Sequence, residues 1–441
     1  MKNVMIICLF VVGFFTLSYS QTAPKANDSA SIGLNSEFSY LMLEPNQNLR
    51  KVRLLMESKA EGMIPEKSLS LGFSVIGLVN YQNANENSKF GWLMRHPTSN
   101  NQIGTHVSEA VIHSASLGLT ASLNSWVTAY GELLYDPQQS FGQGTITSLT
   151  RNQVQLRKGM IVIGDLNAFP VYLAVGKMDT PFGQTGSVSP FTNSTMWHAY
   201  GGLAYQALVG FKKGGLHANV ALVQGGAQFR AANVPVDSTS VPSRLNNFVA
   251  DLNYTLDVTQ DIQLQLGASY IKGSAYCQGW PVMHFLPCEE SNPAFSFYGN
   301  IMIANRLYLK GGFAKTFEVW PGTFNPVPPL DQFAAAKVSS LDFGGVYQIN
   351  PNGKIVYSLS GEFSNFKAGA EGSPWQGQNQ LIVGLNAQVE GTSRFFLELF
   401  RTEGFVPLNF LSGGNFENPA ETHSSNTSRT MGVVVGVMLT I

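Results

Sequence analysis

Charged side chains are scarce in this chain. Asp, Glu, Lys and Arg make up 12% of its 441 residues, which is about half the share found in soluble domains. The formal net charge is −1, and this balance argues against nucleic acid as a partner. Low charge with abundant Gly and aromatic residues favours a protein whose outer face meets lipid and whose inner face carries neutral polar residues.

Long apolar runs are also missing, with one exception near the N-terminus. The run from Val4 to Leu17 follows Lys2 and ends in Ser18-Tyr19-Ser20, which is typical of a secretory signal peptide cut before Gln21. The alternative is a membrane anchor, but the run is shorter than the ~20 residues that a spanning helix needs. We therefore expect residues 1–20 to be a signal peptide with no helical membrane domain after them.

Cysteine is rare, with three residues in the whole chain. Cys8 lies in the expected signal peptide, so that Cys277 and Cys288 remain. An exported protein passes through an oxidising compartment, which predicts a disulfide between these two. With His284 between them they offer the alternative of a metal site, but zinc needs four ligands, and we expect no metal.

Catalytic motifs are absent as well. The sequence has no His-Glu-x-x-His, no Gly-x-Ser-x-Gly, no P-loop and no acidic calcium loop, and each of these would place reactive groups at a spacing that chemistry requires. We expect no enzyme and no cofactor. The remaining catalytic alternative is a Ser/His/acid set at the rim of a barrel, which would have to form without a recognisable sequence motif.

Alternation with a period of two is the dominant pattern from Ser68 onward. In 262–270, Ile, Leu and Tyr alternate with Gln, Gly and Ser, and 381–389 repeats this pattern. Such segments are strands with one apolar face, and their length matches the ~9 to 11 residues that cross a bilayer at a tilt. Sixteen are predicted, at 68–82, 108–120, 123–136, 151–164, 168–178, 201–212, 214–224, 245–256, 261–272, 294–304, 307–317, 338–349, 354–365, 379–390, 393–403 and 429–441.

The connections between these strands alternate between short and long. Seven short turns and eight long loops are what sixteen antiparallel strands produce when both termini lie in the periplasm. We therefore predict an all-β fold, a transmembrane antiparallel β-barrel over 68–441 in the outer membrane of a Gram-negative bacterium. A soluble sandwich or β-solenoid is the alternative, but neither fold requires short and long connections to alternate along the chain.

Two end segments add to this prediction. Residues 21–67 form a polar periplasmic segment in which 46–62 has the spacing of one short amphipathic helix; it is a surface helix, a trimerisation segment, a cap or a piece of plug. The segment is too short for the globular plug of an energised transporter. At the other end, Gly436 to Ile441 resembles the terminal strand read by the outer-membrane assembly machinery, although Ile stands where Phe or Trp is usual.

The predicted register places charges of both signs on the inner face. A pore that selects by charge concentrates one sign, so a mixed lining favours a neutral or zwitterionic solute; the alternative is that these charges pair across the wall. The third long loop, 179–200, either folds inward as a constriction or packs outside. The candidates for pore lining are Glu132, Arg157, His217, Asp251, Lys310, Asp342, Glu362, Arg394 and Glu398, and those for the constriction are Phe182, Phe191 and Trp197.

The segment Val171 to Gly186 ends a strand in Gly-Lys and breaks at Pro-Phe-Gly. In this it resembles the LbtU-type porin-like family, and the resemblance extends loosely over Ser68–Ile441 and the helical segment before it. It implies an outer-membrane channel for siderophore uptake without a plug domain. A general or carbohydrate-selective diffusion porin and an adhesin-type barrel are the alternatives. The expected partners are outer-membrane lipid and lipopolysaccharide, the assembly machinery and a small solute, and a homotrimer is left open.

Overall fold

Antiparallel strands make up most of the chain in the computed structural model. It describes residues 30–89, 103–135, 154–224, 245–277, 291–389, 391–404 and 426–441. The strands are β1 (Ser31–Leu34), β2 (Ser68–Lys89), β3 (Ile103–Ser122), β4 (Val127–Tyr135), β5 (Val154–Ile163), β6 (Val171–Asp179), β7 (Leu203–Lys213), β8 (Leu216–Val223), β9 (Asn247–Asp257), β10 (Ile262–Ile271), β11 (Ala294–Ile303), β12 (Leu307–Trp320), β13 (Ala336–Gln348), β14 (Ile355–Lys367), β15 (Gly377–Val389), β16 (Ser393–Gly404) and β17 (Arg429–Thr440).

Short helices complete the described elements. They are α1 (Ser36–Leu43), α2 (Lys51–Ala60) and α3 (Thr195–Tyr200), with 3-10 turns at Pro321–Thr323 and Leu330–Gln332. Among the described residues, no helix has both the length and the apolar character needed to cross a membrane.

Strands β2 to β17 close into a barrel. Each pairs with the next along the chain, and β17 returns to β2 with Val435 opposite Val79. The backbone of Ile441 continues this seam, because its N–H and C=O both bond to Phe73. Closure leaves no unpaired edge among these strands, which is the condition for a sheet to cross lipid.

The outer face of the wall is apolar and the inner face is polar. On β15, Leu381, Val383 and Leu385 are about half exposed, whereas Gln378 and Gln380 are buried. The same alternation runs through the other barrel strands. Because apolar side chains point outward and polar ones inward, the fold is a transmembrane β-barrel, and the predicted class and strand number are confirmed.

Strand boundaries follow the prediction within a few residues, with two informative differences. The predicted strand 123–136 begins only at Val127, because the Asn124 side chain accepts backbone N–H bonds from Trp126 and Val127, each at 2.9 Å, and holds a turn. Strands β2 and β3 extend further toward the long loop than predicted. Their added residues are mostly polar, and so lack the apolar alternation by which a strand is recognised.

Candidate functional site: the barrel lumen

The N-terminal segment lies inside the barrel. Asn35 caps α1 by accepting the Phe38 N–H at 3.1 Å, and Phe38 and Met42 are buried. From α2, Leu55 and Met56 are buried in the same cluster as inward-facing wall residues such as Tyr172. The interpretation as a surface helix is therefore wrong, because the apolar face of this amphipathic segment packs against the inner wall rather than lying on the outside.

Ion pairs fasten this segment to the wall at separate points. Arg50, just before α2, forms a two-bond pair with Asp251 on β9 and donates to the Tyr298 hydroxyl at 2.9 Å. Glu44, just after α1, pairs with Arg394 on β16 at 2.8 Å. These partners lie on strands far apart around the barrel, so the segment crosses the lumen instead of following one side. Of the possibilities left open for this segment, a piece of plug is the one that fits a position across the lumen, and the two short helices do not amount to a globular plug domain.

Two buried charges shape the link between the helices. Lys51 donates from Nζ to the carbonyls of Leu41 and Glu44, at 2.6 and 2.8 Å. Burial lowers the pKa of Lys51 to about 8. For Glu44, burial alone would raise the pKa of the carboxyl, but Arg394 and Lys51 outweigh it and hold that pKa below its ordinary value. The carboxylate also accepts the Asn46 and Gln47 N–H groups.

The loop between β6 and β7, residues 180–202, also folds into the lumen. Glu362 on β14 accepts from Ser187 Oγ at 2.9 Å and from the Val188 N–H at 2.8 Å. Glu398 on β16 accepts the backbone N–H groups of Phe191, at 2.6 Å, and Thr192. Wall carboxylates thus satisfy the loop's backbone donors, which explains how an irregular segment stays buried. Of the two arrangements left open for this loop, the structure has the inward one.

The three aromatic residues proposed for a constriction have different surroundings. Phe191 stacks on Phe396 of the wall, with ring centroids 5.5 Å apart, and is not among the residues that line the lumen cavity described below. Phe182 and Trp197 line that cavity. The ring of Phe191 thus packs the loop against β16, and a role of the three aromatic residues in a constriction stays a prediction.

A polar cavity of about 1000 Å³ lies between the N-terminal segment, the inward loop and the wall. It reaches the end of the barrel that carries the short turns, since Arg306 and Gln348 line it. Amide side chains are frequent in its lining, and they are already ordered: Asn300 Nδ2 donates to Gln265 at 2.9 Å and to Gln184 at 3.2 Å. The amides along its wall and floor are Gln47, Asn48, Gln184, Asn219, Gln263, Gln265, Asn300, Gln348, Asn386 and Gln388.

All nine predicted inner-face side chains lie on the inner wall, but few of them meet the cavity. His217 and Lys310 line it. The others bond to the segment, to the loop or to other wall residues; for example Asp342 pairs with Lys310 at 2.5 Å and Arg157 with Glu132 at 3.6 Å. Pairing leaves little uncompensated charge. The role of these residues in solute passage stays a prediction.

Other lumen residues were not identified from the sequence. Arg50 and Glu44 belong to a segment whose location could not be read from its pattern. Gln184 and Tyr298 line the cavity, and the alternation of β11 places Tyr298 on the inner face with the predicted charges. Neutral donors and acceptors such as Gln184 and Tyr298 carry no charge that would mark them in the sequence.

Only one cysteine of the predicted pair lies within the described residues. Cys277 follows β10, but Cys288 and His284 lie outside the described residues. The disulfide therefore stays a prediction. Within the described ranges, no three His, Cys, Asp or Glu side chains form a group that could hold a metal ion.

These features define a class: a transmembrane β-barrel whose lumen is partly filled by its own N-terminal segment and by one inward loop. No protein-family model matches the chain. A UPF0422 protein of Coxiella burnetii (strain RSA 493 / Nine Mile phase I) is 27% identical over 193 residues, which cover 42% of this chain and 37% of that protein. The chain thus aligns with little more than a third of that relative.

Several solved structures are similar in their fold. The anion-selective porin from Comamonas acidovorans is 13% identical, with a TM-score of 0.49 over 85% of this chain and 100% of that chain. Salmonella typhi OmpF in complex with daunomycin has 11% identity and a TM-score of 0.49, and the outer membrane channel DcaP of Acinetobacter baumannii has 10% and 0.48; each comparison covers 85% of this chain and 97% of the other. The assignment to the barrel class rests on this chain's own closed sheet.

Proposed function

We propose that this protein is an outer-membrane channel that takes up a small polar solute, with both termini in the periplasm. The observation that carries the proposal is the amide-lined cavity of about 1000 Å³ inside the barrel. The apolar outer wall explains how the barrel lies in a membrane. A barrel that served only as a membrane anchor would not need a polar cavity inside it. The long loops would then face the outside and the short turns the periplasm.

The lining favours a neutral or zwitterionic solute. Amides and hydroxyls both donate and accept hydrogen bonds, and they recognise such a solute without demanding a net charge. The charged side chains around the cavity are mostly paired, as Arg50 is with Asp251 and Lys310 with Asp342. Selection by charge requires a ring of side chains with the same sign of charge, and these pairs do not form such a ring.

We further propose a ferric siderophore as the solute. The support is the resemblance of Val171 to Gly186 to the LbtU-type family, together with a cavity at the upper end of the 300 to about 1000 Å³ range of small-molecule sites. A diffusion porin for carbohydrates is the second candidate, and the amide-rich lining favours it, because such groups bond to sugar hydroxyls. A homotrimer, and recognition of the last strand by the assembly machinery, remain part of the proposal.

Two measurements test these functions. Proteoliposomes with the purified protein should swell in small sugars if it is a diffusion porin, and empty liposomes are the control. Cells that depend on a ferric siderophore should grow with the intact gene and fail without it if the siderophore is the solute. A protein that gives neither swelling nor siderophore-dependent growth, and whose variant lacking residues 184–193 conducts no ions, is not a channel.

A further inference from the structure

Basic side chains gather on the outer face of the barrel at the end that carries the long loops. At this end of β10 to β17 the acidic residues described within the strands are Glu318 and Glu403, against six outward-facing basic residues. The basic residues are Lys272, Lys315, Lys337, Lys367, Arg401 and Arg429. Arg401 and Arg429 both lie within ion-pair distance of Glu403, which leaves the lysines as the uncompensated part.

Three of these lysines form a compact cluster on adjacent strands. Lys315 on β12 and Lys367 on β14 are both register partners of Ser339 on β13, one on each side. Lys337 lies two positions before Ser339 on β13, nearer to the long loop. Since neighbouring strands are about 4.8 Å apart, the Cα atoms of Lys315 and Lys367 are separated by only about 10 Å.

The outward direction of the cluster follows from its neighbours. Ala314, Thr316, Val338, Ser340 and Phe366 alternate with the lysines along the same strands, and all of them are buried. The lysine side chains consequently stand on the lipid-facing side. In the described part of the chain none of the three has a carboxylate within ion-pair distance, although Glu318, Asp331 and Glu371 also lie at this end.

An aromatic belt on the same outer face fixes the height of the cluster in the membrane. Phe248, Tyr270, Phe317 and Phe295 form a chain of ring contacts across β9 to β12, with centroids 5.3 to 6.2 Å apart. Phe295 is the register partner of Lys315. Girdles of this kind mark the membrane–water interface, so the ammonium groups lie at the depth of lipid headgroups.

We infer that Lys315, Lys337 and Lys367 form a binding site for a phosphate-bearing glycolipid of the outer leaflet. Three unpaired ammonium groups on one small patch match a phosphorylated sugar headgroup in charge. The neighbouring rings of the belt offer apolar surface to its acyl chains. The inference uses the outer-membrane placement of the barrel but is independent of the solute, so a failed transport experiment leaves it intact.

Native mass spectrometry of the full-length protein in detergent, titrated with bisphosphorylated lipid A, tests this site. Each Lys near an anionic headgroup contributes roughly a fivefold gain in affinity, so the double variant Lys315→Gln/Lys367→Gln should bind lipid A about 25-fold more weakly. The matched control is Lys213→Gln/Lys354→Gln, which removes two exposed lysines at the short-turn end and should bind as the unaltered protein does. Heat-modifiable migration on gels verifies that both variants are folded.

Two further lipids make the outcome decisive. Dephosphorylated lipid A should bind the unaltered protein as weakly as lipid A binds the double variant. Equal affinity of the unaltered protein and the double variant for lipid A would overturn the site. Equal binding of phosphatidylglycerol and lipid A would show a general preference for anionic lipid and would contradict the glycolipid assignment.

Discussion

Arg50 and Asp251 meet inside the barrel although 201 positions separate them in the sequence. Arg50 donates two hydrogen bonds to the carboxylate, and Asp251 also accepts from Ser269 and Tyr298, each at 2.7 Å. Burial would disfavour the charge of Arg50, but Asp251 and Tyr298 outweigh it and raise the pKa of the guanidinium. This pair connects the N-terminal segment to β9 through two hydrogen bonds.

Breaking the pair should release the segment. Arg50→Met leaves Asp251 with an uncompensated buried charge, which costs on the order of 3 kcal/mol, and we expect larger and more frequent conductance openings in planar bilayers. The exchange Arg50→Asp/Asp251→Arg restores an ion pair and should return the channel toward the unaltered behaviour. If Arg50→Met conducts as the unaltered protein does, the segment does not restrict the pore.

The two faces of β10 make a second prediction. Leu264 lies on the outward face with the exposed Leu266, whereas Gln265 lines the cavity. Leu264→Arg should impair membrane insertion, because a charge on lipid costs roughly 2 to 4 kcal/mol near the midplane. Gln265→Arg should insert normally and change the conductance. Equal insertion of the two variants, measured by heat-modifiable migration, would contradict the register.

This register could be predicted from the sequence because every barrel strand meets the same two surroundings. Lipid on one side and polar lumen on the other impose a period of two that repeats sixteen times, and this regularity fixed the strand number. The location of the N-terminal segment had no such signal. Its helical spacing showed that one face is buried, but the partners of Arg50 and Glu44 lie on β9 and β16, and no local pattern specifies such distant contacts.

The inward loop was a similar case. The aromatic residues Phe182, Phe191 and Trp197 left an inward and an outer loop equally open, and the groups that hold the loop inside are the wall carboxylates Glu362 and Glu398. A sequence pattern identifies these two as inward-facing and cannot show that they bond to loop backbone rather than to a solute. The distinction between a pore lining and a loop anchor is therefore visible only in the folded barrel.

Removing residues 184–193 should widen the pore. The deletion takes away the donors that Glu362 and Glu398 now bind, so single-channel conductance should rise and selectivity should shift toward cations as two carboxylates become exposed to the lumen. Deletion of 370–372, in the loop between β14 and β15, is the control and should leave both properties unchanged. If the conductance stays constant after the deletion of residues 184–193, the loop does not lie in the permeation path.

The last prediction concerns the pH dependence of the N-terminal segment through Lys51. Burial lowers the pKa of Lys51 from 10.5 to about 8 in the docked segment, with Lys158 adding to the effect and Glu44, Glu132 and Asp179 opposing it. A lysine on a released, solvated segment keeps a pKa near its ordinary value.

Between these two values the released segment binds more protons than the docked one, so docking strengthens as the pH rises from 8 toward 10.5. The gain from pH 7 to pH 9.5 is about 2 kcal/mol for a single group of this kind. We expect fewer channel openings at pH 9.5 than at pH 7 in planar bilayers. Lys51→Met keeps an apolar stem without the ammonium and should abolish the difference. An unchanged pH response in Lys51→Met would show that another group controls docking.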